Sequence, residues 1–144
     1  MDISEGALQV ARQNAIDNLC TLSRDAINDE PIEFRLQDIF SKDAEHWQAE
    51  VVVSNPPYIC QAEKKMMDSN VLDYEPSQAL FVPDDDPLLY YRRIAELRIG
   101  KYLFLEVSEF QAQAVAALLK SFDYQDIEIK RDNYGKERFV FGRL

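Results

Sequence analysis

Apolar side chains recur along the first part of the chain at Leu8, Ala11, Ala15, Leu19 and Leu22, the spacing of one helix face. Ser4 stands before that run as a natural N-cap and Glu5 sits in its first turn. A helix is therefore predicted almost from the start of the sequence, with Asp2 just ahead of it. Ile32 to Leu36 alternates apolar and charged residues, as a strand does, and leads into Gln37-Asp38-Ile39-Phe40. Residues 41 to 50 are polar and predict a short helical turn containing Trp47. The β-branched run Val51-Val52-Val53 predicts a buried strand. After a long stretch from 59 to 86 with little periodicity, Asp86 can cap a helix with Pro87 at its first position. Leu88, Tyr91, Ile94 and Ala95 give that helix an apolar face, and Tyr102 to Val107 predicts a further strand. Ser108 and Gln111 fit a capping box ahead of a helix bearing Val115, Leu118, Leu119 and Phe122. Ile127 to Arg131 and Arg138 to Arg143 are joined by turn residues, which predicts an antiparallel hairpin. Strands alternating with helices and closed by a hairpin imply a three-layer α/β fold.

The sharpest local feature is Ser54-Asn55-Pro56-Pro57-Tyr58, directly after the valine run. Neither proline can donate a backbone hydrogen bond, and Pro56 pushes Asn55 toward extended geometry. The expected result is a stiff ledge at the carboxyl end of a strand, where ligands of open α/β sheets bind. Its side-chain amide and its carbonyls suit a planar group bearing N–H donors. The plainer alternative is a proline-rich turn with Tyr58 merely packed.

Composition narrows the range of functions. At 144 residues, 47% of them hydrophobic, the chain is expected to form one domain with its own core. No apolar run approaches the length of a membrane span, and the acidic start shows no secretory signal, so a soluble, cytoplasmic protein is expected. The net charge of −10 weighs against phosphate backbones as partners, making nucleic acid an unfavoured ligand. Cys20 and Cys60 are far apart and His46 is the sole histidine, so no metal site is expected and both thiols are read as free.

Several landmarks fall in one order along the chain: Asp2-Ile3-Ser4 with Ala7-Leu8 and Ala11-Arg12, Asp38-Ile39-Phe40, Ser54-Asn55-Pro56-Pro57-Tyr58-Ile59, Tyr74-Glu75-Pro76 with Ala79-Leu80, Tyr91-Arg92-Arg93-Ile94, and Gly135-Lys136-Glu137-Arg138. In that order they resemble the HemK/PrmC family, protein-(glutamine-N5) methyltransferases that modify peptide chain release factors. The resemblance implies a Rossmann-like fold dependent on S-adenosylmethionine (SAM), with sheet order 3-2-1-4-5-7-6 and a terminal antiparallel hairpin. It also implies that residues 1–144 are a partial catalytic domain, its C-terminal part, lacking the first strands and the glycine-rich loop. The four glycines, Gly6, Gly100, Gly135 and Gly142, do not form such a loop. Impaired SAM binding by the isolated chain and self-association through exposed strand edges are the corresponding expectations.

Residue by residue, the resemblance implies that Asp2, with Ile3, accepts hydrogen bonds from the SAM ribose, and that Asp38, with Ile39, lies beside the adenine. Asn55 and Pro56 would grip the substrate glutamine amide, with Asn55 also bordering the cofactor. Pro57 and Tyr58 would complete the substrate ledge, making Asn55, Pro56 and Tyr58 the catalytic group, and Glu75 would be a substrate contact. Plainer readings stand beside these: a helix-start acid for Asp2, a turn former for Asp38, a turn at Glu75-Pro76. Glu106 is either a pocket acid or buried beside the hairpin. Two rival functions remain open at this stage. One is methylation of an exocyclic base amine in DNA or RNA; the other is an inactive chain that works only by association with another.

Overall fold

A computed structural model describes residues 1–19, 32–62 and 80–144 of the chain. These form two compact units, Met1–Ala44 and Glu45–Leu144.

In the first unit, α1 spans Glu5–Leu19. The Ser4 hydroxyl accepts a hydrogen bond from the Ala7 N–H at 3.2 Å, the N-cap expected of it. Of the anticipated apolar face, Leu8 is buried and Ala11 and Ala15 are half-buried, while Val10 and Ile16 stay exposed. The expected strand from Ile32 to Leu36 is reduced to one parallel bridge, Asp2 with Leu36. The Asp2 N–H donates to the Arg35 carbonyl at 3.1 Å and the Gln37 N–H to the Asp2 carbonyl at 2.9 Å. Alternation supplies a strand pattern, but a ladder grows only as far as its partner runs alongside. Here the partner turns into α1 after Ser4.

A 3₁₀ turn, Lys42–His46, runs from the last residues of the first unit into the second and ends just before Trp47 rather than containing it. Six strands and two helices follow: β1 (Ala49–Ser54), β2 (Ile59–Cys60), β3 (Phe81–Val82), α2 (Leu89–Leu97), β4 (Gly100–Glu106), α3 (Ala112–Ser121), β5 (Gln125–Arg131) and β6 (Glu137–Arg143). The main sheet has the order β1-β4-β6-β5. β1 and β4 are parallel, with Val53 opposite Phe104 and Ser54 opposite Leu105. β6 runs antiparallel to both β4 and β5, so the terminal hairpin forms as expected. Its turn closes on Asp132, whose carboxylate accepts the Tyr134 and Lys136 N–H groups at 2.8 and 3.0 Å. Gly135 occupies the left-handed region there, at φ 79°.

The two faces of this sheet differ. Leu103, Leu105 and Val140 point into a core with Tyr91, Ile94 and Ala95 of α2 and Val115 and Leu119 of α3, all nearly or wholly buried. Close approach sets two glycines: a Cβ on Gly142 would lie 3.2 Å from Leu119 Cδ1, and one on Gly100 only 2.5 Å from Val52 Cγ2. The opposite face carries Val51, Val53, Phe104 and Phe139, all exposed. The Phe104 and Phe141 rings meet there at 4.8 Å. The valine run is therefore not a strand buried on both faces; Val53 is 77% exposed. Among the described residues β1 is an edge strand, paired only with β4.

Candidate functional site

The Asn-Pro-Pro-Tyr ledge leaves the carboxyl end of β1, where Ser54 is still registered with Leu105. Pro56 is buried, Pro57 and Tyr58 are half-buried, and Asn55 is exposed. Among the described residues no hydrogen bond engages the Asn55 side chain or the Pro56 carbonyl. The exposed Asn55 amide next to the buried Pro56 is therefore open to solvent and to a ligand alike.

Three contacts from distant sequence hold this shelf. Gln111, at the start of α3, donates through Nε2 to the Tyr58 carbonyl at 3.1 Å. The next two residues, Ile59 and Cys60, pair in parallel with Phe81 and Val82. The Ala62 N–H then donates to the Asp84 carboxylate at 2.9 Å. Below the shelf the buried Tyr91 hydroxyl donates to the Glu106 carbonyl at 2.9 Å. Burial first, then the nearby Tyr58 and Glu106, push the Tyr91 phenol well above its ordinary range, so it stays a neutral donor. Glu106 thus contributes its carbonyl here, at the end of β4, with its side chain half-buried.

Gln111 and Asp84 were not anticipated in these roles. The capping box does not form: Gln111 is itself the N-cap residue and no side chain caps the helix. Glutamine is outside the usual N-cap set, and that mismatch was the available signal. Asp86 likewise does not cap α2 through its side chain. Its carboxylate takes Arg92 at 2.8 Å instead, since an arginine fork offers a charge-assisted partner.

In the first unit Asp2 and Asp38 are both exposed, each with one carboxylate oxygen committed to a local turn. Asp2 Oδ1 accepts the Ser4 N–H at 2.8 Å, and Asp38 Oδ1 accepts the Phe40 N–H at 2.9 Å. Their second oxygens have no partner among the described residues. Asp2 is itself paired with Leu36 in the parallel bridge, and Asp38 lies two residues beyond that partner. Ile3 is exposed and Ile39 half-buried beside them. Glu75 and Cys20 lie outside the described residues; Cys60 is half-buried and in no disulfide, and His46 is exposed. Among the described residues there is no metal-holding cluster of His, Cys, Asp or Glu, and no helix is long and apolar enough to cross a membrane.

A protein named release factor glutamine methyltransferase from Bacteroides thetaiotaomicron is 41% identical over 96% of this chain and 49% of its own length. Proteins of the same name from Flavobacterium psychrophilum and Cereibacter sphaeroides are 33% and 36% identical, over 97% and 99% of this chain and 47% and 49% of theirs. Over nearly its whole length the chain resembles these proteins named release factor glutamine methyltransferase. It spans about half the length of the curated relatives it matches. No family model matches it.

Proposed function

We propose that residues 1–144 form the C-terminal part of a Rossmann-like, SAM-dependent catalytic domain that methylates the side-chain amide of a glutamine in a peptide chain release factor. The observation that carries this reading is the exposed, unpartnered Asn55 amide on a buried proline at the end of a parallel strand. The sheet order β1-β4-β6-β5, with its antiparallel last pair, fits the 4-5-7-6 half of the sheet expected for such a domain.

A carboxamide nitrogen is a weak nucleophile because its lone pair is delocalised into the carbonyl. Asn55 Oδ1 and the Pro56 carbonyl each accept one N–H of the substrate amide and so orient that nitrogen. Pro57 keeps the shelf stiff, Tyr58 packs on the flat amide, and Glu75 contacts the substrate. The catalytic contribution is orientation and exclusion of water rather than proton abstraction. The free oxygens of Asp2 and Asp38 fit hydrogen-bond donors of the ribose and adenine of SAM, with Ile3 and Ile39 as apolar flanks. When bound, SAM supplies an electrophilic methyl group on a sulfonium. Without a glycine-rich loop the chain alone holds SAM weakly, and the whole reading places the protein in the cytoplasm, where release factors act.

The test supplies labelled SAM and a release factor bearing Gly-Gly-Gln, with the chain alone and with the unmatched half of the Bacteroides relative added as a separate polypeptide. Label on the glutamine in either arm supports the reading. Label only on DNA or RNA transfers the chain to base-amine methylation, which the net charge of −10 disfavours. No label in either arm, with no heat of SAM binding, leaves an inactive chain that acts only through association. The open sheet face favours self-association: Val53 is 77% exposed on an edge strand with no proline or lysine to block pairing. Sedimentation should show a dimer that Val53→Lys converts to monomer; a wild-type monomer at high concentration removes this part.

A further inference from the structure

Gln111 is the least economical residue near the shelf. Its Nε2 donates to the Tyr58 carbonyl at 3.1 Å, across 53 residues of sequence. Its Oε1 is buried and has no hydrogen-bond partner. The amide cannot be turned to relieve this, because a flip would set Oε1 against the Tyr58 carbonyl oxygen. An apolar side chain of the same length would fill the space without burying an unsatisfied acceptor, and burying one is unfavourable. Gln111 also contributes nothing as a cap, since no side chain caps α3. The one hydrogen bond to the Tyr58 carbonyl is thus set against a buried, unsatisfied oxygen, so folding stability alone gives little reason for a glutamine here.

We infer that Gln111 is a positioning residue: anchored at the start of α3, it clamps the Tyr58 carbonyl and fixes the direction in which the Asn55–Pro56 shelf presents its acceptors. The prolines make the shelf stiff within itself but do not set its angle to the sheet. Ile59 and Cys60 pair with a strand of only two residues, which leaves the angle weakly held without a further contact. The clamp also joins the shelf to α3, which packs against β6 where a Cβ on Gly142 would meet Leu119. The inference rests on the proposed methyl transfer for its consequence, and on geometry alone for the clamp.

The test compares Gln111→Met and Gln111→Glu with the wild-type chain. Gln111→Met is expected to stay folded, with little net change in thermal midpoint because relief of the buried Oε1 offsets loss of the Tyr58 hydrogen bond, and to lower kcat for release-factor methylation at least tenfold with KM little changed. Gln111→Glu should lose activity similarly at neutral pH and regain part of it on acidification, because a protonated carboxyl can again donate to the Tyr58 carbonyl. The substrate amide does not titrate in that range, so wild type should show no such rise. Independently of activity, nuclear magnetic resonance of the chain should show a single sharp set of Asn55 side-chain and Ile59 amide signals, split or broadened in Gln111→Met. Unchanged signals in a folded Gln111→Met or Gln111→Glu chain would overturn the clamp. A wild-type chain with sharp, clamp-dependent signals but no methyl transfer in either arm would instead overturn the proposed function and leave the clamp standing.

Discussion

Asp2 and Asp38 are each held by a backbone N–H two residues further on, whereas the asparagine shelf is held by Gln111, 53 residues away, and by Asp84, 22 residues from the amide it binds. The acid turns need only their own tripeptides, because an aspartate reaches the N–H two residues ahead wherever the chain bends. The shelf cannot be assembled that way. Two consecutive prolines supply stiffness but remove donors, so its carbonyls must find partners elsewhere or face a ligand. The contrast teaches that, in this chain, acids proposed for the cofactor are set by local turn chemistry, and the surface proposed for the substrate by tertiary contacts.

The contrast can be broken at several points. The largest effect is expected from Asn55→Ala in the complemented enzyme: methyl transfer should fall about 100-fold or more, since misorientation alone can remove that much. The thermal midpoint should hold, because the side chain is exposed and bonds to nothing described. Retained turnover would remove the shelf from the chemistry. Gly100→Ala attacks the long-range side of the comparison, as its Cβ would stand 2.5 Å from Val52 Cγ2 in the neighbouring strand. Chemical denaturation should show a loss of about 1–3 kcal/mol, the usual range for overpacking. A smaller loss would mean that β1 moves freely on β4.

Ser4→Ala sharpens the local side. Removing the hydroxyl that accepts the Ala7 N–H should destabilise α1 by about 1 kcal/mol, visible as reduced helical signal without change in the β5–β6 hairpin. The smallest effect is the pH response of Asp132. The Lys136 and Tyr134 N–H groups hold its carboxyl below the usual carboxylate range, with Arg138 and Lys136 adding charge. A depressed folded-state pKa gives stability that is present above the unfolded value and lost as pH falls through the folded one. Asp132→Ala should therefore be slightly less stable than wild type at neutral pH, and the gap should close as pH falls through the lowered folded-state pKa. A gap that persists in acid would mean that the turn is held by something other than the carboxylate.

Reading the chain in one dimension goes furthest where the cause is short-ranged. The Ser4 cap, the two aspartate turns, the strand ending at diproline and the terminal hairpin all follow from neighbours within a few residues. Burial was harder to read. Val51-Val52-Val53 carries the composition of a doubly covered strand, yet Val51 and Val53 are exposed because only one face of the sheet is packed. Ile32 to Leu36 carries the alternation of a strand, yet among the described residues its one β-bridge is that of Leu36 with Asp2.

What the sequence determined by itself, then, is the set of stiff and capped segments and the chemical character of the shelf, because sterics and turn hydrogen bonding act between adjacent residues. Only the tertiary structure decided which way Gln111 turns, which valines face solvent and what holds the Tyr58 carbonyl. Those outcomes depend on which distant strand or helix arrives alongside, and that is a property of packing that no local pattern encodes.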